Sequence, residues 1–278
     1  MMSVLLATLG RKDELRACLD SIVRQQGVVF EVLVLDQNPP EFLRELRALY
    51  ATSQVRWELL PSKGLSKARN VGLRLARYDL ISLADDDSVF VDPDHLSRAC
   101  VLLRRHDFVS GICISKDGSD ANRFFPHHDN VIFRSTLFSS IMSPCFFFRR
   151  RAGVFFDERL GVGADFGSGE ETDFSIELLE QGFRGYYTRN LKVFHPEGEL
   201  KQFSLQRRYK YALGVGALVR KRRQFLGFRL CIRKLFGPSL QAAYALIRLM
   251  PRSAFFYGVD QIGRLKGFVQ YVRLPKIY

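Results

Sequence analysis

The chain has 278 residues, is 47% hydrophobic and carries a formal net charge of +13. That content is ample for a packed core in one large domain, or one domain with a tail. Five scattered cysteines (Cys18, Cys100, Cys113, Cys145, Cys231) form no CxxC pair, which argues against zinc or a disulfide framework and fits a reducing compartment.

The charge is unevenly spread. Residues 201–278 hold 17 Lys/Arg against one acid, Asp260, a formal +16. Residues 1–200 hold 25 Lys/Arg against 28 acids, a formal −3. A slightly acidic body with a basic C-terminal part points to an anionic surface as partner, either nucleic acid or the cytoplasmic face of a membrane. Met1-Met2-Ser3 lacks the basic flank of a secretory signal, and Val4–Ala7 is too short for its apolar region. No run of about 18 uncharged apolar residues predicts a transmembrane helix.

In chain order, Ser3–Thr8 reads as a buried strand and Asp13–Gln26 as a helix. Val28–Asp36 is a second buried strand, ended by Gln37-Asn38-Pro39-Pro40. A helix is expected over Glu41–Thr52, a strand over Val55–Leu60 and a helix over Leu65–Arg77, opened by Lys63-Gly64. A strand over Asp79–Ala84 runs into Asp85-Asp86-Asp87, followed by a helix over Asp94–Arg105 and a strand over Phe108–Ser115. This alternation with continuous apolar strands predicts an α/β fold: a mostly parallel sheet with helices on both faces. Residues 116–165 read as irregular and aromatic. A helix should follow Ser168 to about Gln181, and a strand should span Tyr186–His195. From Phe203 onward, Leu205–Phe228 and Arg229–Arg248 mix apolar and basic residues at helical intervals. The expected division is 1–200 as the nucleotide-binding body and 201–278 as a basic amphipathic helical tail.

Three adjacent carboxylates after a buried strand demand a positive partner, most simply a divalent cation carrying a phosphate. Asp85 and Asp87 are the candidate ligands for Mg²⁺ or Mn²⁺, and His195 ends a strand that could aim it at the same ion. In such sheets ligands bind outside the carboxyl ends of the strands, where Thr8, Arg11, Asp36 and the triplet all fall. The basic helix start around Lys63, Lys67 and Arg69 suits a nucleotide phosphate or ribose, and equally suits a solvated helix face. Gly167-Ser168-Gly169-Glu170-Glu171-Thr172-Asp173 forms the second acidic cluster. Ser168 and Glu171 fit a capping box, and a carboxylate at that helix start can also serve as a general base.

Together these segments resemble a family 2 glycosyltransferase of the GT-A fold over roughly residues 3–200. Val4–Thr8 with Arg11 resembles that family's first strand and nucleotide loop. Glu31–Asp36 resembles the second strand with its base-binding acid. Gly64-Leu65-Ser66-Lys67-Ala68-Arg69-Asn70-Val71-Gly72 is similar to the G-x-S-x-A-R-N-x-G helix start, and Asp85–Asp87 stands at the D-x-D metal motif. Phe155–Gly161 resembles the F-D-E-x-L-G acceptor loop, and Glu170–Asp173 the E-D-x-D motif. Two positions depart: Glu171 stands where the family usually has its Asp base, and Gln37-Asn38 follows Asp36 where a second acid is usual.

The resemblance implies inverting transfer of a sugar from a nucleoside-diphosphate sugar to a hydroxyl of a saccharide or lipid-linked acceptor. Glu171 is the implied base, and Glu170 and Asp173 the implied acceptor contacts. Thr8, Arg11, Asp36, Gln37, Lys63, Arg69, Asp85 and Asp86 would hold the nucleotide, with a uridine or thymidine imide pairing with Asp36 or Gln37. The implied setting is surface-polysaccharide assembly in the cytoplasm, peripheral on the inner face of the membrane. A sugar nucleotidyltransferase is the alternative enzyme, but Ala7–Arg11 carries one glycine where that class has a glycine-rich loop. A nucleic-acid-binding tail is the alternative of another class. The tail's Leu, Phe and Tyr content argues against it, so no nucleic-acid partner is expected.

Overall fold

The structure is a computed structural model that describes residues 1–121, 124–196 and 204–272. The chain divides into two compact units. The first comprises Met1–Lys63, Lys67–Phe155 and Glu177–Glu197. The second comprises Gly64–Ser66, Phe156–Ile176 and the described part of Gly198–Tyr278. The boundary expected at 200/201 and the expected helical start at Phe203 lie outside the described residues.

The first unit is built on a single sheet. Its leading strands are β1 (Met2–Thr8), β2 (Phe30–Asp36), β3 (Val55–Leu59) and β4 (Leu80–Asp85). They run parallel in the order β3-β2-β1-β4. Side chains alternate across this core. Val4, Leu6, Val32 and Val34 share a buried cluster with Leu15, Leu19 and Ile22 of α1 (Asp13–Val23). On the other face lies α3 (Leu65–Leu75). There a Cβ on Gly72 would stand 2.9 Å from the Leu35 side chain and 3.1 Å from Leu5. The missing side chain is what lets α3 sit this close. Buried Glu31 ties the strands at their start, accepting from Ser3 Oγ at 2.7 Å and Arg56 Nη1 at 2.8 Å.

Four helices are shorter than expected: α1 and α3 end three and two residues early, and two others lose more. Glu41–Thr52 is helical only over α2 (Arg44–Leu49), and Asp94–Arg105 only over α4 (His95–Leu102). Three-residue turn bonds occupy the missing ends: Phe42 N–H to Pro39 O and Arg105 N–H to Leu102 O. The strand expected over Asp79–Ala84 extends by one residue into the triplet, because Asp85 still pairs with Ala7.

The sheet continues through the two strands expected over Phe108–Ser115 and Tyr186–His195, and through three short strands that the sequence did not announce. The remaining strands are β5 (Val89–Phe90), β6 (Phe108–Ile114), β7 (Asn130–Ile132), β8 (Phe146–Arg149) and β9 (Gly185–Phe194). β8 inserts antiparallel between β4 and β6. Its Phe146, Phe147 and Phe148 are buried. A run of three phenylalanines has no alternation to mark it, and antiparallel pairing needs no crossover helix to announce it. β9 lies parallel to β6, with β5 and β7 antiparallel on its other side. The short helix α5 (Leu137–Ser140) lies in the same middle region.

The second unit joins the start of α6 (Glu170–Glu180) to three tail helices: α7 (Leu205–Lys221), α8 (Arg223–Ile247) and α9 (Pro251–Gln270). α7 ends at Lys221, seven residues short of the segment end expected at Phe228, and α8 carries a break at Gly227 (φ 73°). α7 and α9 cross through small residues. A Cβ on Gly216 would stand 2.0 Å from Arg264 O, and one on Gly267 2.0 Å from Leu213 O. Leu160, Phe166, Leu213, Ala217 and Tyr271 form the unit's apolar centre. Among the described residues, no helix is long and apolar enough to cross a membrane.

Candidate active site

In the first unit, sheet register aligns the expected nucleotide residues. Thr8 pairs with Asp36, and Ala7 with Asp85, so the ends of β1, β2 and β4 stand level. The loop after β1 is fastened to both neighbours. Gly10 (φ 77°) donates its N–H to Asn38 Oδ1 at 2.6 Å, and Leu9 N–H donates to Asp86 Oδ2 at 3.3 Å. Gln37 N–H donates to Thr8 O. Asp36 is fully buried. Its Oδ1 accepts from the Asn38 N–H and side-chain amide, both at 2.9 Å, and Oδ2 lies 3.1 Å from Arg47 Nη2. Lys63 is exposed at the end of its segment.

The positive charge that the triplet demands is supplied within the chain. Asp85 Oδ1 is held by Arg69 Nη2 at 3.0 Å and by the Ser143 hydroxyl at 3.1 Å. Arg69 is itself only 1% exposed. Arg11 Nη1 bridges Asp86 Oδ1 at 2.8 Å and Asp87 Oδ2 at 2.6 Å. The other oxygen of Asp87 lies 3.1 Å from His195 Nε2. That contact follows from topology: β5 begins two residues after Asp87, and Val89 pairs with Phe194.

Burial works to raise the Asp87 pKa, but His195 and Arg11 outweigh it and hold the carboxyl below its ordinary value. For Asp86 burial wins, and its pKa sits above the ordinary value despite Arg11. Burial also opposes the charge on Arg11, yet Asp87 and Asp86 together keep its pKa raised.

Among the described residues, no group of three His, Cys, Asp or Glu is gathered to hold a metal. Of the expected set of Asp85, Asp87 and His195, Asp87 lies against His195, and Asp85 contacts Arg69 and Ser143. Carboxylate oxygen with imidazole nitrogen remains a fitting donor pair for Mn²⁺ or Mg²⁺ when substrate phosphates fill the other positions.

The second unit holds the other acidic cluster. The first α6 hydrogen bond runs from Asp173 N–H to Gly169 O at 2.9 Å. Gly169, at φ 91°, is therefore the N-cap, and Glu171 stands at the second helical position. The expected capping box between Ser168 and Glu171 is out of register by one residue. The Ser168 hydroxyl donates to Tyr211 O at 2.8 Å. Glu171 is half-buried in the first turn. Buried Glu170 packs on Gly161 (φ 102°), where a Cβ would stand 3.1 Å from the carboxylate. Ser66 and Leu65 secure the same loop, through Ser66 Oγ to Leu160 O at 2.6 Å and Leu65 N–H to Val162 O at 3.0 Å.

Asp173, expected to contact the acceptor, is 1% exposed and ion-paired on both oxygens. Arg222 Nε reaches Oδ1 at 2.6 Å, and Lys221 Nζ reaches Oδ2 at 2.7 Å. Lys221 also lies 2.7 Å from Asp157 Oδ2, which accepts from Tyr271 Oη at 2.6 Å. Burial would raise the Asp157 pKa, but Lys221 and these hydrogen bonds drive it far below the carboxylate range.

Sequence reasoning missed Asn38, Arg47, Ser143, Lys221, Arg222 and Tyr271. Asn38 had a local signal, since Asp36 closes an Asx turn two residues on. Lys221 and Arg222 had none beyond the rule that a buried carboxylate needs a partner.

A parallel-led sheet that gathers a buried Asp, a tight glycine-bearing loop and an acidic triplet at its strand ends defines an α/β protein with a candidate ligand site there. The sequence model of Glycosyl transferase family 2 matches residues 3–164, and the chain belongs to that family. Succinoglycan biosynthesis protein ExoO of Rhizobium meliloti (strain 1021) is 28% identical over 190 residues, 59% of this chain and 53% of that protein. An uncharacterized glycosyltransferase of Haemophilus influenzae is 30% identical over 92 residues, 33% of this chain and 31% of its own length. The chain thus spans about a third to a half of these curated relatives.

Among solved structures, S. aureus TarS 1-349 in complex with UDP-GlcNAc superposes with a TM-score of 0.59 at 15% identity. The match covers 97% of this chain and 91% of that one. The mannosyltransferase PcManGT from Pyrobaculum calidifontis, in complex with GDP-Man and Mn2+, gives 0.65 at 15% identity, covering 95% and 86%. These likenesses show the fold, which is GT-A.

Proposed function

We propose that the protein moves a sugar from a UDP- or dTDP-linked donor to a hydroxyl of a saccharide or lipid-linked acceptor, with inversion. The observation that carries this reading is the level alignment of Thr8, Asp36 and Asp85 at one sheet edge, with Asp86, Asp87, Arg11 and His195 around it. TarS and PcManGT are named with different nucleotide sugars, so the fold alone does not select the base. Asp36 and Gln37 supply that choice: a carboxylate accepts from an imide N–H, and a glutamine amide can serve an imide carbonyl.

The chain's own groups divide the work. Arg11 holds Asp86 and Asp87 in place and offers its remaining N–H donors to phosphate oxygens. Asp87 and His195 would hold Mg²⁺ or Mn²⁺. When bound, the ion would offset the charge that develops on the leaving diphosphate. In the second unit, Glu171 accepts the acceptor's hydroxyl proton. Glu170 would orient acceptor hydroxyls. Asp173, held by Arg222 and Lys221, fixes the helix start that carries both glutamates.

The relative ExoO is named for succinoglycan biosynthesis, which supports a surface-polysaccharide setting. The +16 tail supports work in the cytoplasm against an anionic membrane surface. A thermal-shift screen of UDP-, dTDP- and GDP-sugars with and without Mn²⁺ tests the donor. The reading expects a shift with a uridine or thymidine donor that grows with Mn²⁺. A shift with GDP-sugars alone would refute the assignment of Asp36 and Gln37.

A further inference from the structure

The turn between α8 and α9 is built at an avoidable conformational cost. Leu249 N–H donates to Leu246 O at 3.0 Å, and Met250 N–H donates to Ala245 O at 2.8 Å. This is the paired bonding of a Schellman motif, whose left-handed position is usually glycine. Here it holds Leu249, at φ 53°, the one described non-glycine residue with positive φ. A leucine in that conformation is strained, and glycine would relieve it. Packing does not explain the choice, since Leu249 is 88% exposed.

Its neighbours share that exposure. Ile247 is 79% exposed, and Tyr244, Met250 and Phe255 are more than half exposed. Single exposed apolar residues are ordinary, but a cluster of them at one turn is not. Basic residues flank it: Arg248 donates through Nε to Tyr244 Oη at 3.0 Å, and Arg252 is the second residue of α9. Acids are scarce around these cations among the described residues of the tail. The only acid of residues 201–278, Asp260, lies 2.5 Å from Arg208, with both side chains largely buried.

We propose that the α8–α9 tip is a membrane wedge. Ile247, Leu249 and Met250 enter the interfacial layer of an anionic bilayer, while Arg248 and Arg252 meet lipid phosphates. An apolar tip ringed by arginines and carrying a tyrosine matches the layering of a bilayer surface, where charge, aromatic and hydrocarbon follow in depth. The inference rests on the membrane setting proposed above and adds the element that inserts.

The test uses the full chain with sedimenting vesicles of phosphatidylglycerol and phosphatidylcholine, and of phosphatidylcholine alone. Leu249→Gly should raise the Tm by removing strain, yet weaken partition onto the anionic vesicles about tenfold, the worth of one buried aliphatic side chain. Ile247→Ser should weaken it by a similar factor. Leu249→Trp should show a blue-shifted emission on vesicles above the background of Trp57. If Leu249→Gly partitions like wild type, the wedge is refuted even where basic residues still bind the vesicles. If wild type binds neither vesicle, the membrane setting fails with it, and the donor screen reports separately on sugar transfer. If the variants instead dissociate a dimer in light scattering, the tip is an interface between copies and the wedge is refuted.

Discussion

Arg222 donates through Nε to Asp173 Oδ1 at 2.6 Å, both side chains almost wholly buried. The pair ties the end of α7 to the first turn of α6, two residues from Glu171. A buried charge left without its partner typically costs about 3–5 kcal/mol. Arg222→Ala should therefore lower unfolding stability by about 3 kcal/mol in urea titration, with Lys221 retaining part of the interaction. Lys221→Ala should cost less, since its side chain is more exposed. A loss below about 0.5 kcal/mol for Arg222→Ala, the usual range of a surface substitution, would show that the pair does not hold the helix.

The extent to which this architecture was legible differs between the units. Strands β1, β2 and β4 are continuous apolar runs ended by polar loops, so the parallel core and its level rim follow from pattern alone. β8 escaped because its three phenylalanines carry no period. The triplet was read as needing positive charge, and the protein side chains that supply part of it were not foreseen. Arg69, 16 residues upstream of Asp85, and His195, brought in by β5 pairing with β9, are set by tertiary register that no local pattern encodes. The tail's helices were legible. Their ion pairs to Asp157 and Asp173 were not, because Lys221 and Arg222 look like any other members of a basic run.

His95 is fully buried beside the Phe90 and Phe147 rings, and both its ring nitrogens lack hydrogen-bond partners. Burial, with Arg98 adding to it and Asp92 opposing, pushes its pKa down to about 3. The unfolded chain takes up this proton near pH 6.5 and the folded chain does not. Stability from the neutral ring is thus complete above about pH 6.5 and lost as pH falls toward 3, by about 1.4 kcal/mol per unit. Relative to His95→Leu, wild type should lose stability across that window. Parallel stability profiles for the two proteins would refute the assignment.

Asp87 and His195 are the proposed metal ligands. Asp87→Ala should abolish the Mn²⁺-dependent part of donor binding in calorimetry while leaving the fold intact by circular dichroism. His195→Ala should raise the Mn²⁺ concentration needed for half-maximal binding, by about tenfold if it is a direct ligand, the scale of a lost metal contact. An unchanged Mn²⁺ response with a lowered Tm would mean that His195 only anchors the loop after β9.

The central claim is sugar transfer with Glu171 as base, and single-turnover transfer by Glu171→Gln tests it most directly. Gln keeps the size and polarity of the side chain but cannot take the proton. The account predicts donor binding within about twofold of wild type and transfer slowed by about 10²–10⁴-fold, the usual worth of a positioned general base. Transfer at the wild-type rate with intact donor binding would contradict it.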